Sequence, residues 1–325
     1  MNYDSSISVA RMVAMCFIVA CHVLQHFSNP LAFWFNTGVQ MFFVMSGYLY
    51  GGRTIKNPLG FIGKNWCKIL VPCWGVLLGA LIGFICLGVE LPKGMKLVRT
   101  LLLSDTMPGC EHLWFVSNIL FCYMMIPLFD SFKRSLKTMS KCYFLVCISL
   151  IVSIIIIIGF AYRPFLQAGG FVCFVVGYYV AAFRENYGGE KLKTNANALE
   201  YFLIFMGTCA FLLRIMFELH PWPGLYGKLY LSMFPYIKSA IGIALFLAIK
   251  NYISCPANIV LKFSDRYSYS IYLVHHIFIL GPLSIIGSFK MNIIATRLIL
   301  CSAVLLKEVS NLICTICVKR FKEVA

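Results

Sequence analysis

The chain reads as an all-α, polytopic membrane helix bundle of about ten transmembrane helices, and three observations lead there. Of its 325 residues 60% are hydrophobic and only 12% are charged. The mean hydropathy of +0.83 is well above that of a soluble domain. The apolar residues also fall in runs close to the ~20 residues that carry a helix across a ~30 Å hydrocarbon core. Helices are expected over open strands because backbone groups in hydrocarbon must be satisfied within their own segment.

The predicted spans lie near 7–27, 33–50, 69–89, 112–129, 142–161, 165–183, 199–217, 229–249, 268–287 and 292–318. The first lacks a basic leading region and a small-residue cleavage site, so it is expected to remain as a membrane helix. The second carries Gln40 and the pair Ser46-Gly47, small residues that let helix backbones approach. Pro72, Pro127, Pro235 and Pro282 lie in or beside later spans, a common feature of membrane bundles. The outer connection 90–111 mixes charges with Pro92 and Pro108 and reads as a lid or a plain connector. The hydrophilic stretch 184–200 is the largest inner loop. No repeat or low-complexity tract is visible. Connections this short leave the whole of 1–325 as a single integral membrane domain.

Basic residues set the orientation. With the N-terminus cytoplasmic, the inner segments hold Arg53, Lys56, Lys64 and Lys68; Lys133, Arg134, Lys137 and Lys141; Arg184, Lys191 and Lys193; Lys250, Lys262 and Arg266; and Lys319, Arg320 and Lys322. The outer ones hold Lys93, Lys96, Arg99, Arg163, Arg214, Lys228, Lys290 and Arg297. Seventeen against eight favours ten spans with both termini inside. The net charge of +16 then needs no nucleic-acid partner. Nearly all of the 15 cysteines sit in spans, and the Cys314–Cys317 pair reads as packing rather than metal or redox chemistry.

The chemistry is expected in the first span. Eleven residues at 100° each make three turns plus about 20°, so Arg11 and His22 project from one face, about 16 Å apart along the axis. A cation and an imidazole aligned inside a membrane helix are costly and point to a functional path. Counted from residue 7, His22 lies roughly 22 Å from the inner boundary, and Gln40 and Asn118 reach a similar depth from the outer side. Snorkelling to lipid phosphate is the plainer reading of Arg11, and a bond to a neighbouring carbonyl that of His22.

The Arg and His of this first span resemble the motif of the acyltransferase 3 family of multi-span membrane acyltransferases. VQMFFVMSGYL at 39–49 is similar to that family's second-span segment, HLWFVSNILFCYMMIPL at 112–128 to its fourth-span signature and SYSIYLVHHIF at 268–278 to its penultimate one. The resemblance runs from about residue 7 to 317. It implies a bacterial inner-membrane enzyme that moves an acyl group, most often acetyl, from cytoplasmic acetyl-CoA to a hydroxyl of an envelope glycan such as O-antigen, capsule or enterobacterial common antigen. It further implies that Arg11 and His22 are the essential pair. Many members with an added soluble domain carry a glutamate inside the fourth span, after a Trp-Ser pair; this chain has His112, Trp114, Ser117 and Asn118 there, with Glu111 just before them.

A sugar hydroxyl is a weak nucleophile and needs a base within hydrogen-bond reach. A neutral His22 suits that task, either as general base or as the carrier of an acyl-imidazole. Arg11 suits a donor phosphate or the pantetheine region, and Arg53, Lys64 and Lys68, in the inner loop after span two, suit the remaining phosphates. Topology signalling alone also explains those three. His275, about 12 Å in from the cytoplasmic face, is expected to contact the pantetheine arm or another helix, whereas His276 points elsewhere on that helix. His112, Trp114 and Asn118 at the outer mouth, with Gln40, are the expected acceptor contacts, Trp114 as a stacking platform for a sugar ring or as an interfacial belt residue. No metal is expected. The partners expected are acyl-CoA, a free or lipid-linked glycan and membrane lipids, and self-association is left open. The rival reading is a transporter or flippase whose Arg and His line a substrate path.

Overall fold

The computed structural model describes residues 4–137, 139–161, 168–187 and 193–324, and their side chains except at 160–161, 193–196 and 317–324. Arg163 and Lys191, and the side chains of Lys193, Cys317, Lys319, Arg320 and Lys322, lie outside the described residues. The helices are α1 (Ser5–His26), α2 (Ala32–Phe35), α3 (Gly38–Gly51), α4 (Pro58–Cys86), α5 (Met95–Leu101), α6 (Trp114–Leu136), α7 (Lys141–Ala161), α8 (Ala168–Tyr187), α9 (Lys193–Leu219), α10 (Gly224–Tyr252), α11 (Ile259–Ile279) and α12 (Phe289–Val324). Among the described residues, seven helical stretches are long and apolar enough to cross a membrane, in α1, α4, α6, α7, α9, α10 and α12. The other three expected spans are helical but shorter or more polar: α3, α8 and α11.

Several boundaries differ from the sequence reading, and three of them bear on the site. The second expected span is divided at Asn36–Thr37 into α2 and α3. Helix α4 begins at Pro58, not near 69, so Lys64 and Lys68 stand on a helix rather than in a loop. Its start is fixed by Asn57, whose side chain accepts from the Gly60 amide at 2.9 Å, and by a proline at the first helical position. Helix α11 runs from Ile259 to Ile279 rather than over 268–287; its first half, IVLKFSDRYS, is too polar to read as a membrane span from hydropathy.

The described helices group into two compact units. The first comprises Met1–Ala14, Thr37–Lys56 and Met125–Asn258. Its centre is the α3–α8 pair, where glycines bring backbone against backbone. A Cβ at Gly47 would overlap the Phe174 carbonyl, one at Gly51 the Tyr178 carbonyl, and one at Gly177 the Val44 carbonyl. This is close small-residue packing, the role expected of Gly47. The end of α3 is held by the buried Lys133, whose Nζ donates to the Gly51 and Arg53 carbonyls at 3.0 Å each. That side chain also pairs with Asp130 at 3.5 Å and Glu185 at 3.4 Å. Carbonyls at the helix end and just past it are thereby satisfied in a place where water is scarce. A second buried acid, Glu200, takes Lys250 at 2.7 Å and Asn251 at 2.7 Å.

The second unit comprises Met15–Asn36, Asn57–Met124 and Ile259–Ala325. Within it α4 is tied to α11 by the Tyr269 hydroxyl on the Ile69 carbonyl at 3.0 Å. It meets α12 where Cys67 and Cys314 bring their sulfurs to 3.1 Å. The connection 90–111 is pinned: Trp74 Nε1 donates to Leu101 O at 3.1 Å, Ser117 Oγ donates to Leu103 O, and Gly109 lies against Gly281. In both units apolar side chains stand bare along helix flanks, among them Ile154 and Ile157 on α7, Phe202 and Phe205 on α9, and Leu305 and Leu312 on α12. Exposed apolar side chains in such number suit hydrocarbon rather than water.

Two tests follow from this packing. Gly47→Leu places branched carbon against a carbonyl oxygen that no rotamer change relieves, and is expected to cost about 2–3 kcal/mol, read as a lower midpoint of thermal inactivation in detergent; an unchanged midpoint contradicts the close contact. Mild oxidation of the membranes is expected to join Cys67 to Cys314, seen as a cross-linked peptide by mass spectrometry and lost in Cys314→Ser.

Candidate functional site

Four imidazoles meet in the second unit. His22 comes from α1, His275 and His276 from α11, and His112 from the short 3-10 turn Glu111–Leu113 that leads into α6. His22 Nδ1 lies 2.8 Å from His275 Nε2. The two planes differ by 18° with centroids 5.0 Å apart, which is an in-plane N–H···N contact rather than stacked faces. His276 meets His22 edge to face at 4.6 Å, and His112 stacks on His276 at 4.5 Å. His275 is fully buried, and His276 and His112 nearly so; His22 is half-buried.

Backbone carbonyls hold the three inner rings. His275 Nδ1 lies 2.7 Å from the Tyr272 carbonyl and 3.1 Å from that of Ile271, within its own helix. His276 Nδ1 donates to Gly109 O at 2.9 Å, and His112 Nε2 donates to Leu273 O at 3.0 Å. The Tyr272 hydroxyl donates in turn to the His112 carbonyl. Each ring is thus oriented by main chain, the most rigid support a bundle offers. His112 Nδ1 is buried with no hydrogen-bond partner among the described residues. Glu111 Oε2 stands 3.9 Å from His276 Nδ1.

The meeting of His22 with His275 was hidden in the sequence by the misplaced start of α11. Counted from Ile259, His275 is sixteen residues into its helix, roughly 24 Å of rise, about the depth of His22. Counted from 268 the same residue lies only about 10–12 Å deep, no more than half as far. His276 belongs to the cluster rather than pointing away from it, because two adjacent positions 100° apart address the edge and the face of one ring. His112 is likewise buried and joins this cluster, stacked on His276.

The remaining sequence-derived residues are placed as follows. Arg11 is half-buried on the part of α1 that belongs to the first unit. In that unit, too, Arg53 sets its guanidinium 5.0 Å from the centre of the Tyr50 ring. Gln40 is buried in α3 beside Gly242 of α10, its Oε1 without a hydrogen-bond partner among the described residues. In the second unit Lys64 and Lys68 are exposed on the first turns of α4. Trp114 is half-buried and edge-on to Phe115, and Asn118 donates to the Trp114 carbonyl at 3.0 Å. Of the expected site residues the second unit therefore gathers His22, His275 and His112 at one place. Among the described residues no three His, Cys, Asp or Glu side chains are arranged to hold a metal ion.

Compared with known protein families, residues 4–307 match the model of the acyltransferase 3 family, described as an acyltransferase domain. No curated protein and no solved structure matches the chain.

His112→Phe keeps a ring on His276 and removes one hydrogen bond, so it is expected to lower stability by about 1 kcal/mol, measured as a small drop in the thermal midpoint; a loss of the folded protein altogether would show the ring to be more than a bonded neighbour.

Proposed function

The chain belongs to the acyltransferase 3 family, and we propose that it transfers an acyl group, acetyl first, from cytoplasmic acyl-CoA to a sugar hydroxyl of a bacterial envelope glycan. It is a multi-pass membrane acyltransferase. In this reading the protein crosses the inner membrane ten times with both termini in the cytoplasm, as the distribution of Lys and Arg favours. Residues 1–325 act as one catalytic membrane domain, and the acceptor is a glycan, free or lipid-linked.

The observation that carries the reading is a half-buried imidazole, His22, bonded to a second one inside a membrane unit of an acyltransferase. A base held in this way removes the proton of the acceptor hydroxyl as its oxygen attacks the thioester carbon. The C–O bond forms, the C–S bond breaks, and the coenzyme A thiolate takes the proton back from the imidazolium. Arg11, eleven residues earlier on the same helix, binds the donor through a phosphate or its pantetheine arm. Arg53, Lys64 and Lys68 add charge for the other phosphates. On the acceptor side Trp114 offers a ring face to a sugar, and Gln40, His112 and Asn118 offer polar contacts. Two of these, Gln40 Oε1 and His112 Nδ1, are buried acceptors with hydrogen-bonding capacity to spare among the described residues.

Purified protein in liposomes, given labelled acetyl-CoA and the glycan extracted from a strain lacking this protein, is expected to acetylate that glycan. His22→Ala is expected to lower the rate by about 100-fold or more, and Arg11→Ala to raise the KM for acetyl-CoA. Movement of either substrate across the bilayer without acetylation would favour the transporter reading instead.

A further inference from the structure

We infer that His275 fixes the tautomer of His22, so that Nε2 of His22 is the atom that accepts the proton. The inference rests on the role of His22 as general base and adds to it the identity of the reacting nitrogen and of the residue that sets it.

The chain of hydrogen bonds allows one assignment for neutral rings. A carbonyl oxygen has no proton to give, and His275 Nδ1 faces two of them, Tyr272 O at 2.7 Å and Ile271 O at 3.1 Å. His275 Nδ1 therefore carries the ring's proton. A neutral imidazole has one N–H, which leaves the lone pair of His275 on Nε2. His22 Nδ1 is 2.8 Å from that lone pair, in nearly the same plane, and so must be the donor. The lone pair of His22 is then on Nε2, on the ring edge away from His275.

The neighbouring rings are held in the same manner and do not compete for this bond. His276 spends Nδ1 on Gly109 O and His112 spends Nε2 on Leu273 O. His276 meets His22 through its face or edge, not through a nitrogen-to-nitrogen contact. In familiar triads a carboxylate holds the base in its working tautomer. Here a neutral ring does so, itself set by the carbonyls of α11. As the acceptor O–H breaks and Nε2–H forms, His22 becomes an imidazolium whose Nδ1–H strengthens its bond to His275. The positive charge has no anionic partner in that bond, which favours prompt return of the proton to the departing thiolate. His275 is thus a positioning residue that acts through His22.

Variants of the full chain in liposomes, assayed with labelled acetyl-CoA and glycan from the strain lacking this protein, test the assignment. His275→Leu removes the acceptor and is expected to reduce kcat by about 100-fold with the KM for acetyl-CoA within about twofold of the parent. His275→Gln sets an amide oxygen near the place of Nε2 and is expected to recover kcat to within about tenfold. Parent-like kcat in His275→Leu, equal losses in both variants, or a raised KM with unchanged kcat would each overturn the assignment. If His275→Leu does not insert, His275→Gln decides alone, a 1000-fold loss being contrary. His22→Ala run beside them separates the two claims: full transfer there defeats the base itself, whereas loss there with an active His275→Leu defeats only the role of His275.

Discussion

A hydrogen-bonding group buried among apolar helices must find a partner inside the protein, and the partner it finds fixes what it can do. In this chain the rule acts most strongly on α11. Its main chain supplies carbonyls at Ile271, Tyr272 and Leu273 to the rings of His275 and His112. Those carbonyls are already engaged along the helix and take a second bond with their remaining lone pair. The rings are thereby satisfied without any charged partner. That spares the protein the desolvation of an ion in a low-dielectric place, and it leaves His22, the half-buried member of the cluster, with its Nε2 facing away from His275.

The same rule operates differently in the first unit. There the polar demand is met by charge rather than by neutral rings. Lys133 gathers the carbonyls at the end of α3 together with Asp130 and Glu185, and Glu200 gathers Lys250 and Asn251. Between these knots the α3–α8 contact is glycine against carbonyl, a surface that tolerates no added carbon. Removing one member of either ionic cluster would strand a buried charge, a more costly event than losing the pair together.

Much of this was legible in the sequence. Hydropathy located the helices because length and apolarity are what a bilayer demands. The Ser46-Gly47 pair announced close packing, and the spacing of Arg11 and His22 put both on one helix. What escaped was set by polar helix ends. Lys64 and Lys68 hid the first turns of α4, and Lys262, Asp265 and Arg266 hid those of α11. The second error mattered more, since it misjudged the depth of His275 and so concealed its contact with His22. The burial of His112 was not legible either, since it comes from the 3-10 turn and the pinned connection ahead of it, which carry this ring into the interior.

The most direct measurement is nitrogen-15 solid-state NMR of histidine-labelled protein in liposomes at neutral pH, with His22→Ala and His275→Gln used to assign signals. For His22 the account requires a protonated Nδ1 and a bare Nε2, with magnetisation passing across the bond to a bare Nε2 of His275. A proton on Nε2 of His22, or no transfer between the two rings, would contradict it.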